Sequence, residues 1–80
     1  MLLCKQGETM ENKKYIERIK NLREDHDYTQ EYVANYLGTS QTMYARYERG
    51  ANELPIRHLL SLCKLYHVSS DYILGLSNKL

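Results

Sequence analysis

The segment Thr29-Gln30-Glu31-Tyr32-Val33-Ala34-Asn35-Tyr36-Leu37-Gly38-Thr39-Ser40-Gln41-Thr42-Met43-Tyr44-Ala45-Arg46-Tyr47-Glu48-Arg49-Gly50 decides how this chain is to be read. Thr29 is a good helix N-cap, and Glu31 puts a negative charge in the turn that follows. Val33, Ala34 and Leu37 then make one apolar face at helical spacing. Gly38 ends the segment as a left-handed residue ends a helix. Only Gly38 and Thr39 intervene before Ser40, the next N-cap. In the segment after it Tyr44 and Tyr47 lie three apart on one face, and Gly50 stops it.

Two short helices joined by a tight glycine turn are the pattern of a helix-turn-helix. In that geometry the second helix enters the major groove of DNA and the first lies across the phosphate backbone. The outward positions of the second helix are Gln41, Thr42, Ala45 and Arg46, with Arg49 near its end. Glutamine can pair with adenine and arginine with guanine, while Ala, Thr and Met can meet thymine methyls. Tyr44 and Tyr47 are expected in the core rather than stacked on bases. Tyr32 and Tyr36 are expected to be exposed.

Working outward, Lys13 to about His26 is periodic, with Ile16, Ile19 and Leu22 at helical spacing and Lys14, Arg18 and Arg23 elsewhere on the surface. Downstream, Leu54-Pro55 starts a helix that carries Leu59, Leu62, Cys63 and Tyr66. Ser69 or Ser70 caps a last short helix containing Tyr72, Ile73 and Leu74, closed by Gly75. No stretch reads convincingly as a strand. The expected fold is all-α, a compact five-helix bundle around the helix-turn-helix. Residues 1–12 show no periodicity and read as a disordered tail, 13–76 as the domain, and 77–80 as a short C-terminal tail. The codons for Lys5-Gln6-Gly7-Glu8 can spell a purine-rich run resembling a bacterial ribosome-binding sequence, so the native start is expected at Met10.

With 80 residues, 42% of them hydrophobic, the chain suffices for one small domain. It has eight Tyr and neither Phe nor Trp, so its aromatic core is built from phenols. A net charge of +1 excludes a strongly basic coat but not a local basic face. Lys13 to Arg23 holds five basic residues and one acid, and Glu24 to Glu31 holds four acids with no Lys or Arg. The basic first helix, with Arg46, Arg49 and Arg57, is expected to meet phosphates while the acidic stretch stays away. Two distant cysteines form no disulfide framework, and no apolar run suits a membrane span. The expectation is a soluble, cytoplasmic protein. Glu24, Asp25 and Asp27 read as a solvated helix end. Cys63 and His67 have metal-ligand spacing but no further ligands. Neither metal, cofactor nor catalytic constellation is expected, and the chain is not read as an enzyme.

Taken together, Leu22-Arg23, Thr29-Gln30-Glu31, Val33-Ala34, Leu37-Gly38, Ser40-Gln41, Tyr44, Arg46-Tyr47-Glu48-Arg49-Gly50, Pro55, Leu59, Val68-Ser69 and Asp71-Tyr72-Ile73-Leu74-Gly75 resemble the Cro and phage-repressor helix-turn-helix family. The family is also called the xenobiotic-response-element family, and the resemblance covers about residues 13 to 76. It implies a lambda-repressor-like DNA-binding domain that acts as a dimeric transcriptional regulator. By this resemblance Gln30 and Ser40 hold phosphates, Gln41, Thr42 and Arg46 read bases, and Arg23 and Glu48 form an ion pair tying the first helix to the end of the recognition helix. Thr39 stands where the family usually has an apolar residue, and Met43 and Ala45 replace commoner small polar residues.

The expected function is a sequence-specific DNA-binding regulator, a repressor, with Arg49 as a further phosphate contact. It is expected to bind a palindromic operator as a homodimer, with half-sites about 34 Å apart. The last helix carries more apolar surface than it can bury, so Ile73 and Leu76 are expected on the dimer surface. Two alternatives use the same fold. One is the antitoxin of a toxin–antitoxin pair that represses its own operon. The other is a protein-interaction module that has lost DNA binding.

Overall fold

A computed structural model describes the backbone of residues 2–78 and the side chains of residues 14–78. Five helices follow one another: α1 (Leu2–Asp25), α2 (Gln30–Leu37), α3 (Gln41–Arg49), α4 (Ile56–Tyr66) and α5 (Ser70–Leu74). No strand occurs among the described residues. The all-α expectation holds, and the starts of α2 to α5 have local causes. Thr29, Ser40 and Ser69 sit in extended backbone, and their hydroxyls accept from the N–H of Tyr32, Met43 and Tyr72 at 3.0, 3.1 and 3.0 Å. These bonds satisfy amides that a helix start leaves free. Pro55 precedes α4, and its carbonyl accepts from His58 and Leu59 N–H.

The glycine at the end of α3 answers a demand of the backbone. Gly50 has φ +78°, and a Cβ there would sit 2.8 Å from Ile16 Cδ1 of α1. The left-handed backbone calls for the missing side chain, whereas the Ile16 methyl, the far end of a flexible side chain, would only have to shift.

α1 runs back to Leu2. The aperiodic pattern of residues 1–12 reads as a tail, but residues 2–12 continue the helix. An apolar stripe is needed for packing, not for helical backbone. This stretch is rich in helix formers and has no proline. Of the expected C-terminal tail, residues 79–80 lie outside the described residues. Its first part is held by Arg18, which the sequence placed on the surface. Arg18 Nη1 donates to the carbonyls of Tyr72 and Ser77 at 3.0 and 3.3 Å, and Nη2 to Asn78 Oδ1 at 3.0 Å. Its guanidinium carbon lies 4.2 Å from the centre of the Tyr72 ring, a cation–π contact.

The core is Ile19 and Leu22 from α1, Val33 and Ala34 from α2, Tyr44 and Tyr47 from α3, Leu59, Leu62 and Tyr66 from α4, and Ile73 from α5. Three of these ten are tyrosines, as the composition requires. Ile73 is fully buried, so it closes the monomer core and is not a dimer-surface residue. α5 is a single turn and a half packed on α1, and its inward position is taken by the side chain that completes the interior. No helix among the described residues is long and apolar enough to cross a membrane.

Candidate nucleic-acid interface

The fold presents α3 as a helix with two distinct faces. Tyr44 and Tyr47 turn inward, their rings edge-on at 6.4 Å, and Glu48 is buried beside them. Gln41, Thr42, Arg46 and Arg49 are exposed, and Ala45 is half-buried among them. These positions recur at one and four residues along the helix, so they form a single outward stripe. Met43 is half-buried and packs against the core, which takes it out of that stripe.

One buried carboxylate positions this stripe. Glu48 Oε2 accepts from Arg23 Nε at 2.7 Å and Oε1 from Arg23 Nη2 at 3.1 Å. Arg23 also donates from Nη1 to the carbonyl of Tyr28 at 3.0 Å, which fixes the turn between α1 and α2. Gln30 Nε2 donates to Glu48 Oε1 at 3.0 Å, and Gln30 Oε1 accepts from Gln41 Nε2 at 2.7 Å. The chain Arg23–Glu48–Gln30–Gln41 therefore runs from the core to the exposed start of α3. Arg23, Tyr28, Thr29, Gln30, Glu31 and Gln41 line an open concavity there. Burial opposes the charge of Glu48, and Arg23, then Tyr44 and Gln30, outweigh it, so its carboxyl is held below the usual range. The same carboxylate holds the Arg23 guanidinium even more firmly charged.

The hydroxyls of Tyr44 and Tyr66 are both buried; that of Tyr44 faces the Glu48 carboxylate, and that of Tyr66 has no hydrogen-bond partner. Burial pushes both phenols well up, and the negative charge of Glu48 adds to it. Both stay neutral.

The structure brings Gln30, Ser40, Gln41 and Thr42 to one end of α3, with Arg46 and Arg49 farther along it. Gln30, expected as a phosphate ligand, has its side chain engaged by Glu48 and Gln41 in the free protein. Ser40 uses its hydroxyl as the cap of α3. The basic face expected of α1 is smaller than its charge count implies. Arg18 and Arg23 are spent on internal bonds, while Lys14 and Lys20 remain exposed. Sequence reading also missed His58, which is buried with its ring 5.8 Å from that of Tyr47. The signal was present: His58, Leu62 and Tyr66 recur every four residues on the inward stripe of α4. Burial, then the charge of Arg57, lowers its pKa.

Residues 19–73 match the family model described as helix-turn-helix, and this chain belongs to the Cro/C1-type helix-turn-helix family. It is similar to three regulators of Bacillus subtilis (strain 168). Against the uncharacterized HTH-type transcriptional regulator YobD it is 39% identical over 64 residues, which is 80% of this chain and 57% of that protein. Against the SPbeta prophage-derived regulator YonR it is 34% identical, over 72% of this chain and 54% of the relative. Against the HTH-type transcriptional regulator ImmR it is 38% identical, over 72% of this chain and 46% of the relative. The chain thus spans about half the length of the curated relatives it matches.

Proposed function

We propose that this chain is a sequence-specific DNA-binding transcriptional regulator, a repressor that binds a palindromic operator as a homodimer. The observation that carries this reading is the outward stripe of α3. A helix that buries two tyrosines and a paired glutamate keeps Gln41, Thr42, Arg46 and Arg49 exposed on its far side. Gln41, Thr42 and Arg46 read base edges, and Gln30, Ser40 and Arg49 meet phosphates. Arg46 suits guanine and Gln41 suits adenine. The similarity to proteins named as transcriptional regulators supports the same reading. Dimerisation uses the exposed apolar end beyond α5, where Leu76 is 67% exposed.

The experiment is selection of bound sequences from a random DNA pool, followed by titration of the winner at several salt concentrations. The reading requires an enriched site with two-fold symmetry and an affinity that falls steeply with salt, since phosphate contacts release counterions. A pool that enriches no sequence refutes it.

A further inference from the structure

The outward faces of α2 and α4 hold apolar surface that DNA reading does not use. On α2, Val33 and Ala34 turn inward, leaving Glu31, Tyr32, Asn35 and Tyr36 outward. Tyr32 is 49% exposed and Tyr36, one turn on, is 46% exposed. Tyr28 extends the row, its ring 4.5 Å from that of Tyr32. This face is acidic: Glu31 lies within it, and exposed Asp27 follows α1 just before it. On α4, His58, Leu59, Leu62 and Tyr66 turn inward. Ile56, Arg57, Leu60 and Lys64 form the opposite stripe, with Ile56 73% and Leu60 54% exposed. This face is basic, because no Asp or Glu lies between Glu53 and Asp71.

We propose that these two faces are the halves of one interface, the α4 face of one copy packing on the α2 face of a second copy. Two tyrosines one helical turn apart meet two aliphatic side chains one turn apart, so the ladders share a pitch. Arg57 and Lys64 face Glu31 and Asp27, which gives the contact its orientation and its selectivity. Both faces are open to solvent in the single chain, so neither covers the other within it. A second copy covers both, whereas an acidic partner would cover only the α4 face. DNA does not account for the apolar rows, since the acids on α2 repel it and Ile56 and Leu60 gain nothing from it. The contact joins two different surfaces and is head-to-tail. It is separate from association through Leu76.

The test uses chains that also carry Leu76→Asp, so that the α5 end does not contribute, and reads mass by analytical ultracentrifugation. The Leu76→Asp chain gains mass as concentration rises. Leu60→Asp and Tyr36→Asp, each added to it, stay monomeric alone. Mixed in equal amounts they form a species of two copies and no larger one, since each mixed pair has a single intact contact. Lys64→Glu and Glu31→Lys, each added to the Leu76→Asp chain, also lower the mass reached alone, by reversing one charge of the contact, and the thermal transition of each variant reports that it is folded. A Leu76→Asp chain that stays monomeric at millimolar concentration overturns the proposal. So does a Leu60→Asp or Tyr36→Asp variant that still associates alone, or a mixture of the two that does not recover.

Discussion

Arg23 of α1 grips Glu48 of α3 with both prongs of its guanidinium, Nε to Oε2 at 2.7 Å and Nη2 to Oε1 at 3.1 Å. The carboxylate is almost wholly enclosed and the arginine nearly so, with side-chain exposures of 3% and 13%. The pair fixes the end of α3 to α1. It also supplies the anchor from which Gln30 and then Gln41 are held.

Removing one partner leaves the other charge buried and alone. Glu48→Ala is therefore expected to cost about 3 kcal/mol of stability, read from urea unfolding. The double variant Arg23→Met with Glu48→Leu should recover much of that loss, because apolar side chains of similar size need no partner there. If the double variant is as unstable as the sum of the single ones, the two residues are not coupled.

His58 gives the fold a pH dependence near neutrality. Burial holds its folded pKa below the usual histidine value, so in mild acid the unfolded chain binds the proton first. Stability is full above about pH 6.5 and is lost as pH falls from there through the folded pKa. Thermal midpoints measured from pH 7.5 to 5 should decline, and His58→Leu should flatten that decline. Glu48 acts lower down: its depressed carboxyl contributes stability present above the ordinary glutamate pKa and lost as pH falls through its own. An unchanged slope in His58→Leu assigns the neutral-range effect elsewhere.

Arg46 and Gln30 should respond differently on the selected DNA site. Arg46→Ala is expected to cost roughly 1–3 kcal/mol and to relax preference at one base pair. Its folding should move by less than about 0.5 kcal/mol, since the side chain is exposed. Gln30→Ala should weaken binding to all sequences more evenly, because phosphate contacts position without specifying. It should also cost about 1 kcal/mol of stability, since it strips a donor from Glu48 and an acceptor from Gln41. Titration of both variants against every single-base change of the site decides this. An equal loss on every sequence for Arg46→Ala makes Arg46 a phosphate anchor.

Leu76 is the probe for the proposed dimer, because Ile73 is sealed in the core. Leu76→Asp should leave the melting temperature nearly unchanged and abolish cooperative filling of the two half-sites, with a steeper concentration dependence of operator binding in the parent chain. Equal cooperativity in parent and variant moves the dimer surface away from α5.

The positions of α2 to α5 were legible from residues because their causes are local. The caps Thr29, Ser40 and Ser69 each act on an amide three residues away, and Gly38 and Gly50 end helices through their own backbone angles. The turn of Gly38 and Thr39, the inward Tyr44 and Tyr47, and the exposed Gln41, Thr42 and Arg46 follow from spacing alone. The pairing of Arg23 with Glu48 came instead from resemblance to a family, since nothing local links residues twenty-five positions apart. The tertiary structure decided what each long side chain is used for. Arg18 looks like a free surface charge until α5 brings the carbonyl of Tyr72 beneath it. Gln30 is engaged only because α3 delivers Glu48 and Gln41 to it. Ile73 and Leu76 are alike in sequence as aliphatic residues of one short segment. Packing against α1 buries the first and leaves the second in water. Periodicity records which residues share a face, but the partner of that face is set by contacts between elements distant in the chain.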